Sequence, residues 1–141
     1  MNGCGGDTGE SMNTNNKPIK VTAAVIRDGE KVLICKRPKD KRHGGLWEFP
    51  GGKVEPGEVL FDCIVRECRE ELCITLRPIK TITAIENGGY EITFIECETV
   101  SGTLTLNEHE KCRWVSADDV DGLEFCPTDS QALKAIFDEL R

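Results

Sequence analysis

Residues 51–74 read GGKVEPGEVLFDCIVRECREELCI, a glycine-rich loop running into an amphipathic helix. At roughly 100° per residue, Phe61, Ile64, Val65, Cys68 and Leu72 fall at i, i+3, i+4, i+7 and i+11 and form one narrow apolar stripe. Glu67, Glu70 and Glu71 gather on a neighbouring face, while Arg66 and Arg69 lie on the other flank. A helix that only had to be stable would avoid this pattern. Like charges at i,i+3 and i,i+4 repel by about 0.2–0.5 kcal/mol per pair, and carboxylates in the last turns oppose the negative end of the helix dipole. A hard divalent cation removes both objections, because carboxylate oxygens are its preferred ligands. The bland alternative is a solvated acidic face.

Working outward, 141 residues suit one domain with a real core. A net charge of −7 argues against holding nucleic acid by phosphate contacts, which needs a basic surface. An acidic protein that handles phosphates needs metal ions to screen the two negative partners. No apolar run approaches a membrane span, and no basic start followed by an apolar core marks a signal peptide. The eight cysteines include no CxxC pair, and His43 and His109 are the only histidines, so a zinc site is disfavoured. Reduced, mostly structural thiols are expected, and with them a cytoplasmic address.

Residues 1–18, rich in Gly, Asn, Ser and Thr, read as a disordered leader, and 19–141 as a single domain. Val21 to Arg27 and Lys31 to Lys36 read as a strand hairpin turned at Asp28-Gly29. Arg37 then opens the most basic loop of the chain, through Lys39, Lys41 and Arg42. This loop is either merely solvated or offers an arginine for bidentate phosphate contact. Trp47 and Phe49, beside paired glycines, suggest a pocket wall, or simply core. Beyond the helix, Ile74 to Ile85 and Tyr90 to Val100 alternate as paired strands, and Thr103 to Leu106 reads as a short extended piece. A further strand runs from Cys112 to Ser116. A final helix carries Leu133, Ile136, Phe137 and Leu140 on one face, with Asp129 placed to cap it. Strands, helix, strands, helix imply an α/β (α+β) sandwich with a mixed β-sheet.

With its spacing written out, the opening stretch is Gly52, five residues, Glu58, seven residues, then Arg66-Glu67-Cys68-Arg69-Glu70-Glu71. This resembles the Nudix box, the signature of the Nudix hydrolases, with one departure: Cys73 stands where the family usually has glycine. A glycine there would serve as a left-handed helix cap, a role cysteine fills at modest conformational cost. The resemblance extends from Lys20 to the C-terminus and is nearest the MutT-like branch, through residues 45–52 (GLWEFPGG), the pair Glu108-His109 and residues 125–129 (FCPTD).

The resemblance implies an α/β/α Nudix sandwich that hydrolyses a nucleoside diphosphate linked to another group. Glu67, Glu70 and Glu71 would hold Mg²⁺ (or Mn²⁺) with the carbonyl of Gly52, and Glu108 would be a further ligand or the general base. Arg66 would orient the glutamates with Glu58, and Arg37 would bind phosphate. Asp129 would read the base edge unless it serves only as a cap, with Trp47 and Phe49 as candidate walls. The expected reaction takes a nucleoside triphosphate to the monophosphate and pyrophosphate, with a pyrimidine or an oxidised base preferred, a role in cleaning the nucleotide pool. ADP-ribose or dinucleoside polyphosphates are the alternative substrates, the latter through Tyr90; a silent nucleotide-recognition domain is the other. The implied partner is a small nucleotide rather than nucleic acid or membrane, for a monomer or homodimer.

Overall fold

In the computed structural model, residues 17–141 are described, so the expected leader lies almost wholly outside the described residues. The strands are β1 (Ile19–Asp28), β2 (Lys31–Lys36), β3 (Trp47–Glu48), β4 (Gly51–Lys53), β5 (Ile74–Asn87), β6 (Tyr90–Gly102) and β7 (Lys111–Val115), and the helices α1 (Leu60–Leu72) and α2 (Pro127–Glu139). A 3₁₀ turn spans Ala117–Gly122.

The centre of the sheet is β1, whose side chains alternate between two cores. Val21, Ala23 and Val25 face one, with Ile136 of α2 and Leu140 just past its end. Ala24 and Ile26 face the other, with Ile64, Cys68 and Leu72 of α1. A strand buried on both faces reads as a near-continuous apolar run and suits parallel pairing. β1 indeed pairs parallel with β6, from Ile19↔Tyr90 to Ile26↔Cys97. On its other side it meets β4 and, at its far end, β2, both antiparallel. β2 continues to β3 and β7, and β6 to β5. The result is a mixed sheet between two helices. β3 and β4 were not anticipated as strands, because two or three residues carry no periodicity, and Thr103 to Leu106 is irregular rather than extended in a ladder.

Helix α1 buries Cys63, Ile64, Cys68 and Leu72. Phe61, expected on that stripe, is 38% exposed. Cys63 takes the inward place, its Sγ 3.2 Å from Thr22 Oγ1. The helix ends on Cys73 at φ 60°, ψ 27°, the left-handed cap that glycine would normally supply. Cysteine accepts it against the Cβ clash that disfavours this region.

Asp129 does not cap α2. The N-cap is Cys126, followed by Pro127 at the first helical position, where its missing N–H costs nothing. Asp129 lies in the first turn, and its carboxylate turns away to a neighbouring strand end. Cys35, Cys63, Cys68, Cys73, Cys97 and Cys112 are free thiols, in line with the expectation of reduced, mostly structural thiols for these six. Among the described residues no helix is long and apolar enough to cross a membrane.

Candidate active site

The paired glycines form the floor of a cleft. Gly51 faces Ala23 across the β1–β4 ladder, and a Cβ there would run into the Thr22 carbonyl. At Gly52 a Cβ would overlap the carboxyl group of Glu67. Each glycine therefore permits one close approach, the first of strand to strand and the second of α1 to the loop. Arg66 locks that approach. Its Nε donates to Glu58 at 2.8 Å, its Nη1 to Glu67 at 2.7 Å, and its Nη2 to Glu58 at 3.0 Å and the Lys53 carbonyl at 3.1 Å. The Arg66 guanidinium, together with a hydrogen bond from the Glu55 backbone, holds the Glu58 carboxyl down at about 2.

Above this floor lies a cavity of ≈ 270 Å³ lined by side chains of both charges. Glu48, Glu67, Glu71 and Glu108 contribute carboxylates, beside His109, and Arg37, Lys41 and Arg42 contribute cations. Burial pushes the Glu71 carboxyl far above the usual carboxylate range, helped by a hydrogen bond with Glu67 and by the charges of Glu108, Glu67 and Glu48. Glu70 goes elsewhere. Its side chain is 60% exposed and 3.5 Å from Arg66 Nη1, outside the cavity, whereas that of Glu71 is 5% exposed. One residue along a helix rotates a side chain by about 100°, enough to separate the two.

Glu108 and His109 reach the cleft because their loop finishes α1. The last carbonyls of a helix lack intrahelical partners. Here Asn107 donates from its backbone to the Glu71 carbonyl (3.0 Å) and from Nδ2 to the Glu70 carbonyl (2.8 Å), while Thr105 N–H serves Leu72 (2.9 Å). His109 then sits with Nε2 2.9 Å from Glu48 Oε2. Sequence reasoning did not assign roles to Glu48, His109, Lys41, Arg42 or Asn107. Glu48 and His109 did stand inside quoted segments, and the two basic residues lay in the loop singled out for its charge.

The remaining candidates are placed as follows. Arg37 is buried, with Nε donating to the Arg42 carbonyl at 2.6 Å and Nη1 3.4 Å from Glu48, and it lines the cavity. Trp47 is core, with Lys36 and Lys111 both about 5.8–5.9 Å from its ring. Phe49 is core too, edge-on to Phe94 and stacked on Phe125. Tyr90 is buried in the same cluster, away from the cleft. Asp129 Oδ2 accepts the Phe49 N–H at 2.9 Å beside a second cavity of ≈ 10 Å³, lined also by Thr22, Glu48 and Ile92. That is room for about one water. Burial, then the charge of Glu48, pushes the Asp129 carboxyl well above its ordinary range, against the opposing bond from Phe49 N–H.

The donor set suits a hard divalent cation. The Gly52 carbonyl and the carboxylates of Glu67, Glu71 and Glu108 supply oxygens, which Mg²⁺ and Mn²⁺ prefer. As the side chains stand, no group of three or more His, Cys, Asp or Glu among the described residues forms an assembled metal site. Two observations still fit a cation. Glu67, Glu48 and Glu108 crowd their charges around Glu71, a repulsion that a cation would screen. Further, His109 Nδ1 is buried without a hydrogen-bond partner among the described residues.

The family model described as the NUDIX domain matches residues 17–136. The chain is 33% identical over 123 residues to the CTP pyrophosphohydrolase of Escherichia coli K12, covering 84% of this chain and 91% of that protein. It is 37% identical over 60 residues to the 8-oxo-dGTP diphosphatase of the same organism, covering 42% of this chain and 46% of that protein. The solution structure of the E. coli ORF135 protein superposes with a TM-score of 0.73 at 35% identity, covering 94% of each chain. A mixed sheet between two helices, a glycine floor under a glutamate-bearing helix, and these likenesses along nearly the whole described chain agree, and the protein belongs to the Nudix hydrolases.

Proposed function

We propose that this Nudix hydrolase cleaves nucleoside triphosphates to the monophosphate and pyrophosphate in a Mg²⁺-dependent reaction, preferring a pyrimidine such as cytosine or an oxidised base. The observation that carries the reading is that carboxylates (Glu48, Glu67, Glu71, Glu108) and basic side chains (Arg37, Lys41, Arg42) line one and the same cavity. A polyphosphate chain needs both: carboxylates to hold the metal ions that neutralise it, and guanidinium or ammonium groups to bind its oxygens directly. Likeness to a CTP pyrophosphohydrolase and to an 8-oxo-dGTP diphosphatase favours a triphosphate substrate.

In this reading Glu67, Glu71 and the Gly52 carbonyl hold the cation, with Glu108 closing the site from its loop. Glu70 joins them only by leaving Arg66. When bound, the metal neutralises the phosphate oxygens and lowers the pKa of an attacking water. Arg66 fixes Glu67 through its paired bonds, so the carboxylate does not have to be ordered during turnover. Glu108, exposed at the cavity mouth, is placed to take the water's proton. Arg37, pinned by Glu48 and the Arg42 carbonyl, holds the phosphate chain in line. Water adds at the β-phosphorus, the bridging oxygen leaves with the nucleoside monophosphate, and pyrophosphate departs. Asp129, whose carboxyl burial pushes above its ordinary range, is the candidate reader of the base edge.

The test is a nucleotide panel with Mg²⁺, separating phosphate from pyrophosphate as products and including CTP, dCTP, 8-oxo-dGTP, ADP-ribose and a dinucleoside polyphosphate. Pyrophosphate released fastest from CTP, dCTP or the oxidised nucleotide is expected. Turnover confined to ADP-ribose or the dinucleoside would refute it, an outcome that the burial of Tyr90 speaks against.

A further inference from the structure

The cleft holds a buried polar atom without a hydrogen-bond partner among the described residues, His109 Nδ1. Its imidazole side chain is 5% exposed and clamped at one end, with Nε2 2.9 Å from Glu48 Oε2. Glu48 is itself held, 3.4 Å from Arg37 Nη1. A carboxylate can only accept, so donation to Glu48 puts the ring hydrogen on Nε2 and leaves a lone pair on Nδ1. That nitrogen faces Glu71 at 4.0 Å, too far for a hydrogen bond. An unpaired buried nitrogen in a native structure calls for a missing partner.

An ion supplies one. Donors bound at about 2.0–2.2 Å to the same divalent cation can stand up to ~4.4 Å apart, so one ion can take both Nδ1 and Glu71 Oε1. An imidazole whose far N–H is held by a carboxylate is also the arrangement that fixes ring orientation in metal sites and raises ligand basicity. Building on the proposed glutamate site, we infer that His109 Nδ1 is a nitrogen ligand of the divalent cation in the cleft. The consequence is a gain for Mn²⁺ relative to Mg²⁺, because Mg²⁺ is held by oxygens and waters whereas Mn²⁺, at the foot of the first-row series, accepts a nitrogen among its oxygen ligands.

The experiment loads the full-length protein with Mn²⁺ alone and reads nitrogen hyperfine coupling by pulsed electron paramagnetic resonance. With only two histidines in the chain, selective ¹⁵N-histidine labelling assigns the signal class and His43→Asn isolates His109. His109→Gln keeps an amide donor for Glu48 while removing Nδ1. We expect directly coupled ¹⁴N in the wild type, conversion to ¹⁵N on labelling, persistence in His43→Asn and loss in His109→Gln. Mn²⁺ affinity should fall about 10-fold in that variant, with Mg²⁺ affinity nearly unchanged. If His109→Gln does not fold, labelling and His43→Asn still decide the ligand. Bound Mn²⁺ without a directly coupled histidine nitrogen overturns the inference and leaves the glutamate site standing. Mn²⁺ binding that is absent, or indifferent to Glu71→Gln, overturns both.

Discussion

The two ends of the proposed substrate path are built in opposite ways. At the cutting end, four carboxylates and three basic side chains surround a cavity of ≈ 270 Å³. At the recognition end, Asp129 faces a space of ≈ 10 Å³, its carboxyl already bonded to Phe49 N–H. The cutting end crowds like charges together; the proposed recognition end is small, and its carboxyl is already hydrogen-bonded. The first kind of site is stabilised by binding its ligand. The second must exchange internal contacts for external ones, so it can reject a base that repays them poorly.

The sharpest probe of the cutting end compares neighbours on α1. Glu71→Gln should lower kcat by at least about 10³-fold, the scale of losing a positioned charged group, with circular dichroism unchanged because little volume changes. Glu70→Gln should cost far less, since that side chain pairs with Arg66 outside the cavity. Steady-state rates across a Mg²⁺ titration measure both. An equal loss in Glu70→Gln would mean that Glu70 abandons Arg66 to bind the cation, and that the exposed and buried halves of the helix act as one.

A smaller effect is expected at Gly52. A new methyl group must displace the Glu67 carboxyl, which is the far end of a flexible chain, so the fold survives while the site shifts. Misplacing a catalytic group by about 1 Å costs on the order of 10²-fold in rate. Gly52→Ala should show that loss with a nearly unchanged melting temperature. A large fall in melting temperature would show that Gly52, like Gly51, serves strand packing instead.

The contrast between the two ends also explains what could be read from the chain. Glu58, Arg66, Glu67 and Glu71 lie within one loop and helix, where local geometry converts spacing directly into position. Glu70 shares that spacing but not that position, because Arg66 competes for it. Glu48 and His109 are 61 residues apart and meet only through the β2–β3 ladder and the docking of Asn107 on α1. Asp129 was legible as a candidate, but its true bond, to Phe49 N–H 80 residues away, depends on β3 being tied to the segment before α2 by Trp47 N–H to Glu124 and Cys126 N–H to Trp47. The β1 core was plain from its apolar run; the short strands β3 and β4 were not, having no period to show.

The smallest effect tests how closed the proposed recognition end is. The folded Asp129 carboxyl titrates well above an unfolded value of about 3.9, chiefly through burial. Between those two values the folded state keeps a proton that the unfolded state releases. Stability from this group is therefore fully present below about pH 4 and is lost as pH rises through the folded value. Asparagine has no proton to lose, and its carbonyl can still accept the Phe49 N–H, so Asp129→Asn should lack this slope. Glu71 contributes a slope of the same sign to both proteins, and it cancels in the difference. The melting temperature of Asp129→Asn relative to wild type, measured without divalent ions, should thus climb by about 2–4 °C from pH 4 to pH 8. Its relative rates across bases should shift while its Mg²⁺ dependence stays put. A difference that is flat with pH would mean water already reaches Asp129, and that the two ends of the cleft are less unlike than their cavities suggest.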